Sequence, residues 1–391
     1  MEAIDVTVSD PVSTAVAAAP AAGSLAALGW DPGWEAAFAP HAAQGLHPAR
    51  VVAAHRDLWV VALPSGDREA VISGRLRHDA LGPGDLPAAG DWVAVSGAGT
   101  GDADTWTTVI GAVLPRRTAF RRSAGEERLA GNLSAEQVLA ANVDIAFVVA
   151  GLDGDFNLRR LERYLAVAWS GGTTPVILLN KADMATDPEG LRIAAEAVAP
   201  GVEVRALSAL TGDGVAGLAA DHLPPGRTAV VLGSSGVGKS TLVNALVGHE
   251  RQRTGGVRAD DAKGRHTTTT RELVRLPGGA VLIDTPGIRS LGVAGAGAGM
   301  DTTFADIAAL AAECRFSDCR HEAEPGCAVR AALADGRLGA DRFVSHRKLE
   351  KEAAHAARKG DRLAQEAERR KWRAISQASA QHMQRKYGSD R

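Results

Sequence analysis

The sequence predicts a multidomain chain. An N-terminal all-β barrel of the OB-fold kind is followed by a central α/β P-loop domain in circularly permuted order, then by a C-terminal helical domain built on a Cys/His cluster. Three observations predict it. Five short β-rich runs separated by turn signals lie between Arg50 and Arg122. The stretch Gly233-Ser234-Ser235-Gly236-Val237-Gly238-Lys239-Ser240-Thr241 stands between a buried-strand pattern and a helix start. All three cysteines fall between Cys314 and Cys327.

At 391 residues the chain exceeds one ordinary core. Its 45% hydrophobic and 23% charged content is that of a soluble globular protein. Pro11 to Trp30 is uncharged, but it is Ala/Gly/Ser-rich with Pro20 and lacks the apolar core of a membrane span. The first Lys or Arg is Arg50, which argues against a signal peptide. The net charge of −2 hides an asymmetry: from Arg342 onward there are 14 Lys/Arg against 6 Asp/Glu.

Residues 1–48 form an Ala-rich extension, and the first two dozen predict disorder. Trp30, Trp34 and Phe38 fall at helical spacing, which suggests a short helix docked on the next domain. Residues 49–122 hold the OB-fold runs: Arg50–Ala53, Leu58–Leu63, Ala70–Ile72, Asp91–Val95 and Thr105–Val113. OB-folds often bind single-stranded nucleic acid, but Trp59, Trp92 and Trp106 serve equally well as core. The run Arg116-Arg117-Thr118-Ala119-Phe120-Arg121-Arg122 is either a solvated linker or a phosphate-contacting edge. Gly125 to Ala141 reads as a loop with a short helix.

Residues 123–298 alternate strand and helix patterns, the signature of a mainly parallel sheet. Ligand loops belong at the carboxyl ends of such strands, and every motif below sits there. Gly233, Gly238, Lys239 and Ser240 fit the P-loop pattern. Its glycines turn backbone N–H groups toward phosphate, Lys239 reaches the β/γ-phosphates and Ser240 ligates Mg²⁺. Asn180-Lys181-Ala182-Asp183 is an N-K-x-D element. The Asp183 carboxylate can accept from N1–H and the N2 amine of guanine, a donor pair that adenine lacks, so a buried Asp183 discriminates strongly. Asn180 would hold the loops together, the Lys181 stem would cover the base, and the Ala209 N–H of Ser208-Ala209-Leu210 would donate to guanine O6. Asp284-x-x-Gly287 reads as the Mg²⁺ and γ-phosphate element.

In Gly264-Arg265-His266-Thr267-Thr268-Thr269-Thr270, Thr268 and Thr269 are the candidates for a switch threonine on Mg²⁺. Ile288 follows Gly287 where Ras-like proteins carry a water-orienting Gln, and His266 is the nearby side chain suited to polarising water. N-K-x-D and S-A precede the P-loop, the reverse of the ordinary GTPase order, so this is a circularly permuted GTPase domain whose switch regions lead directly into the C-terminal region.

Residues 299–391 carry Cys314-x4-Cys319-x-His321-x5-Cys327, a Cys₃His set suited to a closed, tetrahedral, structural Zn²⁺ site in a reducing compartment. Past Gly339 the chain reads as helix ending in a basic tail. Trp372 and Tyr387 interleave with its Lys and Arg residues, a pattern that favours nucleic acid over a merely solvated face.

A β-barrel, a permuted GTPase and this zinc segment, in that order, resemble the ribosome small-subunit-dependent GTPase A family. Leu139-Ala140-Ala141-Asn142-Val143-Asp144, Gly236–Thr241 and Gly264–Thr269 agree with the family's pattern; the resemblance covers roughly Arg50 to Asp341. It implies a cytoplasmic, GTP-hydrolysing factor of late small-subunit maturation that binds the small ribosomal subunit and its rRNA in the GTP state. It also implies His266 as catalytic group and Cys314, Cys319, His321 and Cys327 as zinc ligands. No membrane partner is expected, and the chain is expected to be monomeric.

Overall fold

A computed structural model describes residues 24–55, 57–97, 108–123, 136–154, 156–248, 271–284 and 297–358. A 3₁₀ turn at Ala26–Leu28 leads into helix α1 (Pro32–Ala42). Asp31 caps α1 by accepting from the Trp34 N–H at 2.9 Å, and Pro32 supplies a preset first turn. Trp34 and Phe38 are buried in a cluster with Trp92, Leu114, Leu273 and Val281. The helical spacing of Trp30, Trp34 and Phe38 thus corresponds to a docked helix; residues 1–23, where the sequence predicts disorder, lie outside the described residues.

The barrel strands are β1 (His47–Ala54), β2 (Trp59–Leu63), β3 (Gly66–Ile72), β4 (Trp92–Ser96) and β5 (Thr108–Val113), with the short helix α2 (Gly74–Asp79) after β3. They pair in the order β1-β2-β3-β5-β4, and β4 returns to β1, so the sheet closes on itself. Only the β3–β5 pair is parallel. Val51, Val61, Val93 and Ile110 are fully buried in one core, while their strand neighbours Val52, Ala62, Trp92 and Ala94 are buried on the opposite face in the cluster with Trp34 and Phe38 of α1.

Strands β6 (Ala119–Ser123) and β7 (Glu136–Ala141) pair antiparallel in a separate ribbon. The loop with a short helix expected over Gly125–Ala141 is therefore a strand in its last part. Leu139 and Ala140 are buried in a core with Phe120, and Val138 packs with Ala88 and Ala141, which outweighs the segment's polar start.

The α/β part contains β8 (Ile145–Gly151), α3 (Leu158–Ser170), β9 (Thr174–Asn180), α4 (Pro188–Val198), β10 (Glu203–Ala206), α5 (Val215–His222), β11 (Thr228–Leu232), α6 (Lys239–Val247), β12 (Arg271–Arg275) and β13 (Val281–Asp284). Its strand order is β10-β9-β8-β11-β13-β12, parallel except for β12. Alternation along β8 sends Ala146 and Val148 to a core with α3 and α4, and Phe147 and Val149 to a core with α5 and α6. Burial on both faces explains why these strands read as unbroken apolar runs.

Strand β12 pairs with β1 through Ala53↔Glu272 and Ala54↔Arg271, so barrel and α/β sheet are one hydrogen-bonded surface. The Arg50 side chain is buried at this junction. It donates to the carbonyls of Leu28, Gly90 and Asn142 and to Thr228 Oγ1, and stacks on Trp92 at 5.3 Å. Burial pulls its guanidinium down to about 10.

Helices α7 (Gly297–Thr303), α8 (Ala305–Ala312) and α9 (Ala328–Ala334), with a helix over residues 340–358, form the C-terminal part. Its core of Met300, Phe304, Ile307, Val329, Leu338 and Leu349 includes Ala166 of α3. Glu162, also on α3, is fully buried; it accepts from Arg342 Nη1 at 3.0 Å, Ser345 Oγ at 2.5 Å and Arg159 Nη1 at 2.6 Å. Arg342 binds Asp306 as well and donates to the carbonyls of Val198 and Thr303. This network fastens the C-terminal helices to the α/β domain.

Candidate functional site

The carboxyl ends of β8, β9, β10, β11 and β13 lie along one edge of the parallel sheet, so their loops converge. After β11 the chain turns through Gly233 at φ 145°, where a Cβ would run into the Val149 carbonyl. Gly238, at φ 91°, is the N-cap of α6, and no side chain caps that helix. Lys239 folds back onto the loop: its Nζ donates to the Gly233 carbonyl at 2.8 Å and to that of Ser234. Ser235 and Gly236 are exposed, Val237 is buried, and Ser234, Ser240 and Thr241 are half-buried.

Asn180, 2% exposed, ties three loops together. Its Nδ2 donates to the Val237 carbonyl at 2.9 Å, and its Oδ1 accepts from the Ala209 N–H at 2.9 Å. A Cβ at Gly238 would strike this amide, so the P-loop glycine and Asn180 require each other. Lys181 takes the left-handed conformation at φ 64° and pairs with Asp153. Ala182–Met184 is a 3₁₀ turn that leaves Asp183 exposed rather than buried. Ser208 is buried, and its Oγ accepts from the Thr211 N–H at 3.3 Å. Asp284 ends β13, with its backbone paired to Glu272. His266, Thr268, Thr269 and Gly287 lie outside the described residues.

The four Cys/His residues come together. The ligand atoms of Cys314, Cys319, His321 and Cys327 all lie within 4.8 Å of one another. Cys314 Sγ is 3.9 Å from Cys327 Sγ and 3.6 Å from His321 Nδ1, and His321 Nδ1 is 3.4 Å from Cys327 Sγ. A tetrahedron with metal–sulfur bonds of about 2.3 Å has edges of roughly 3.8 Å, so these spacings fit a metal ion. His321 reaches the cluster from the left-handed region at φ 59°.

A sequence model of the RsgA GTPase family matches residues 113–294. The "Small ribosomal subunit biogenesis GTPase RsgA" of Opitutus terrae is 50% identical over 366 residues, covering 90% of this chain and 96% of that one. The protein of the same name from Streptomyces coelicolor is 45% identical over 368 residues, with 93% and 96% covered.

The chain belongs to the RsgA GTPase family.

The crystal structure of YjeQ from Thermotoga maritima superposes with a TM-score of 0.56 at 24% identity, covering 78% of this chain and 97% of that one. That of YloQ, a circularly permuted GTPase, gives 0.52 at 22%, with 79% and 96% covered. The fold is thus that of a circularly permuted GTPase, as the motif order predicts. This chain's motifs account for the loops after β9, β10, β11 and β13, but not for the loop after β8.

Side chains outside the motifs also shape this edge. Asp153, just past β8, holds Lys181, and Arg160 on α3 donates from Nη1 to Ser234 Oγ at 2.9 Å. Neither belongs to a nucleotide motif, and the one signal for them is position after a buried strand of the parallel sheet. The basic run at 116–122 begins with two arginines that bind acidic partners within the fold. Arg116 binds the buried Asp91 at 2.7 Å, and Arg117 pairs with Asp31 while lying 4.0 Å over Trp34. These two arginines join segments of the fold.

Proposed function

We propose that this chain is a Mg²⁺-dependent GTPase of late small-ribosomal-subunit maturation, cytoplasmic and monomeric, which binds the small subunit and its rRNA in the GTP state and hydrolyses GTP when the subunit stimulates it. The observation that carries the reading is Asn180. One buried amide joins the P-loop at Val237 to the Ser208-Ala209 loop, so phosphate and base elements form a single site. Relatives of near-complete length bearing the name of a small-subunit biogenesis GTPase support the partner.

In this reading the exposed Asp183 carboxylate meets guanine N1–H and N2 and becomes buried only under the base. Lys181 covers the base face. The Ala209 N–H, donated to Asn180 Oδ1 in this structure, is shared with guanine O6. The N–H groups of Ser234, Ser235, Gly236, Val237 and Gly238 cradle the phosphates, and Lys239 exchanges its loop carbonyls for β/γ oxygens. Ser240, Asp284 and Thr268 or Thr269 would hold Mg²⁺, which when bound neutralises phosphate charge. Thr241 lies beside Ser240, and Ala182 spaces Lys181 from Asp183. The Gly287 N–H touches the γ-phosphate, and His266 polarises the attacking water. Zn²⁺ is the metal that three thiolates and one imidazole select. The pairing order β1-β2-β3-β5-β4-β1 supports reading the barrel as an OB-fold, and in this reading the barrel contacts rRNA.

The test is GTP turnover with and without small ribosomal subunits, wild type beside His266→Ala. Strong stimulation of the wild type, lost in the variant while GTP still binds, is expected. Unstimulated turnover would remove the proposed partner. Stimulation surviving in the variant would hand water activation to another group.

A further inference from the structure

The connection between β8 and α3 carries no nucleotide motif, yet it touches both halves of the site. Asp153 folds back over Gly151 and pairs with Lys181. A Cβ at Gly151 would lie 2.7 Å from Asp153 Oδ1, so a side chain there would displace this carboxylate from its place beside Lys181. Lys181 is a non-glycine residue at φ 64°, a conformation that persists where its surroundings hold it. Its aliphatic stem runs past Gly238, 3.9 Å from where a Cβ would stand. Lys181 is thus held between the P-loop backbone and the Asp153 carboxylate. Both side chains are about three-quarters buried (24% and 26% exposed), where an ion pair directs a long side chain better than on an open surface. Seven residues on, Arg160 reaches the P-loop from α3 and donates to Ser234 Oγ. Asn157 caps α3 by accepting from the N–H groups of Arg159 and Arg160, which fixes the turn from which that guanidinium extends.

We infer that the β8–α3 connection is a positioning element for the nucleotide: Asp153 sets the Lys181 stem over the base, and Arg160 sets the phosphate loop through Ser234. Neither residue takes part in bond breaking. Both shape a binding surface before GTP arrives, so their loss weakens binding more than it slows the chemical step. The inference rests on the nucleotide-site assignment above.

The test is steady-state GTP hydrolysis in two double-mutant cycles on the full chain. Asp153→Asn and Lys181→Met should each raise KM about tenfold, the scale of one charged contact, and the double variant should match Lys181→Met alone. Arg160→Ala and Ser234→Ala should each raise KM by about three- to tenfold, again without compounding, and Arg160→Lys should recover most of the loss. In all of them kcat should change by less than about threefold, a split that general destabilisation does not give. Gly151→Ala should reproduce the Asp153→Asn effect. Fully multiplicative effects within a pair, or a KM within about twofold of wild type, overturn the role of that pair's residue. Wild-type protein that does not saturate with GTP would instead overturn the underlying assignment.

Discussion

Replacing Asn180 by Ala tests whether three loops depend on one amide. The change removes the hydrogen bonds to the Val237 carbonyl and from the Ala209 N–H, each 2.9 Å long. Val237 and Ala209 are 2% and 5% exposed, so water does not readily replace the lost partners. Two neutral hydrogen bonds plus the stranded buried groups amount to about 2–4 kcal/mol. For an α/β unit of this size that lowers the thermal midpoint by roughly 5–15 °C. Loops no longer held in register must also be aligned by the ligand, so GTP affinity should fall about 30-fold or more, the equivalent of 2 kcal/mol. Asn180→Asp keeps the acceptor for Ala209 but sets a carboxylate against the Val237 carbonyl, and should fare no better than Ala. The assays are a thermal melt without nucleotide and a titration with a fluorescent GTP analogue. A midpoint within about 1 °C of wild type together with unchanged affinity would refute the reasoning.

Three further outcomes follow from the structure. Arg342→Met should destabilise by about 3–5 kcal/mol, more than Glu162→Gln, because Arg342 serves Asp306, Glu162 and two carbonyls; the relative loss of thermal midpoint and of resistance to trypsin checks the order. Denatured protein should release about one zinc per chain to a chromogenic chelator, and Cys327→Ser should abolish it; zinc-free wild type would refute the Cys₃His site. The hydrogen bond from Arg117 holds the Asp31 carboxyl at about 2, below its ordinary 3.8. The depressed value means the stabilisation is complete above 3.8 and is lost as pH falls through about 2. Both side chains are nearly half exposed, so screening limits the effect to about 1 kcal/mol or less; an acid titration of Trp34 fluorescence should show a step that Asp31→Asn removes.

Much of this architecture is legible in the sequence because its signals are local. Short β-rich runs such as Trp59–Leu63 and Trp92–Ser96, set apart by turn signals, mark barrel strands, unbroken apolar runs such as Ile145–Gly151 mark a sheet covered on both faces, and Gly238-Lys239-Ser240 marks a strand-to-helix turn. Spacing alone groups Cys314, Cys319, His321 and Cys327, since a short loop closes at little entropic cost. Less legible were the segments whose conformation depends on a remote partner. Glu136–Ala141 looks like the end of a polar loop until β6 lies beside it, and Arg116 looks like a solvated cation until Asp91 lies beneath it.

The sequence by itself determined the order of the elements, the permutation and the identity of the motif residues, because each is written in neighbours a few positions apart. Only the tertiary structure decided how the parts are joined. The pairing of β12 with β1, the burial of Arg50 against Leu28, Gly90, Asn142 and Thr228, the Glu162–Arg342 network, and the reach of Asp153 to Lys181 and of Arg160 to Ser234 all link residues far apart in the chain. A charged side chain carries no local mark of the partner it will meet. That partner is chosen when strands and helices pack, by the need to satisfy every polar group the packing removes from water.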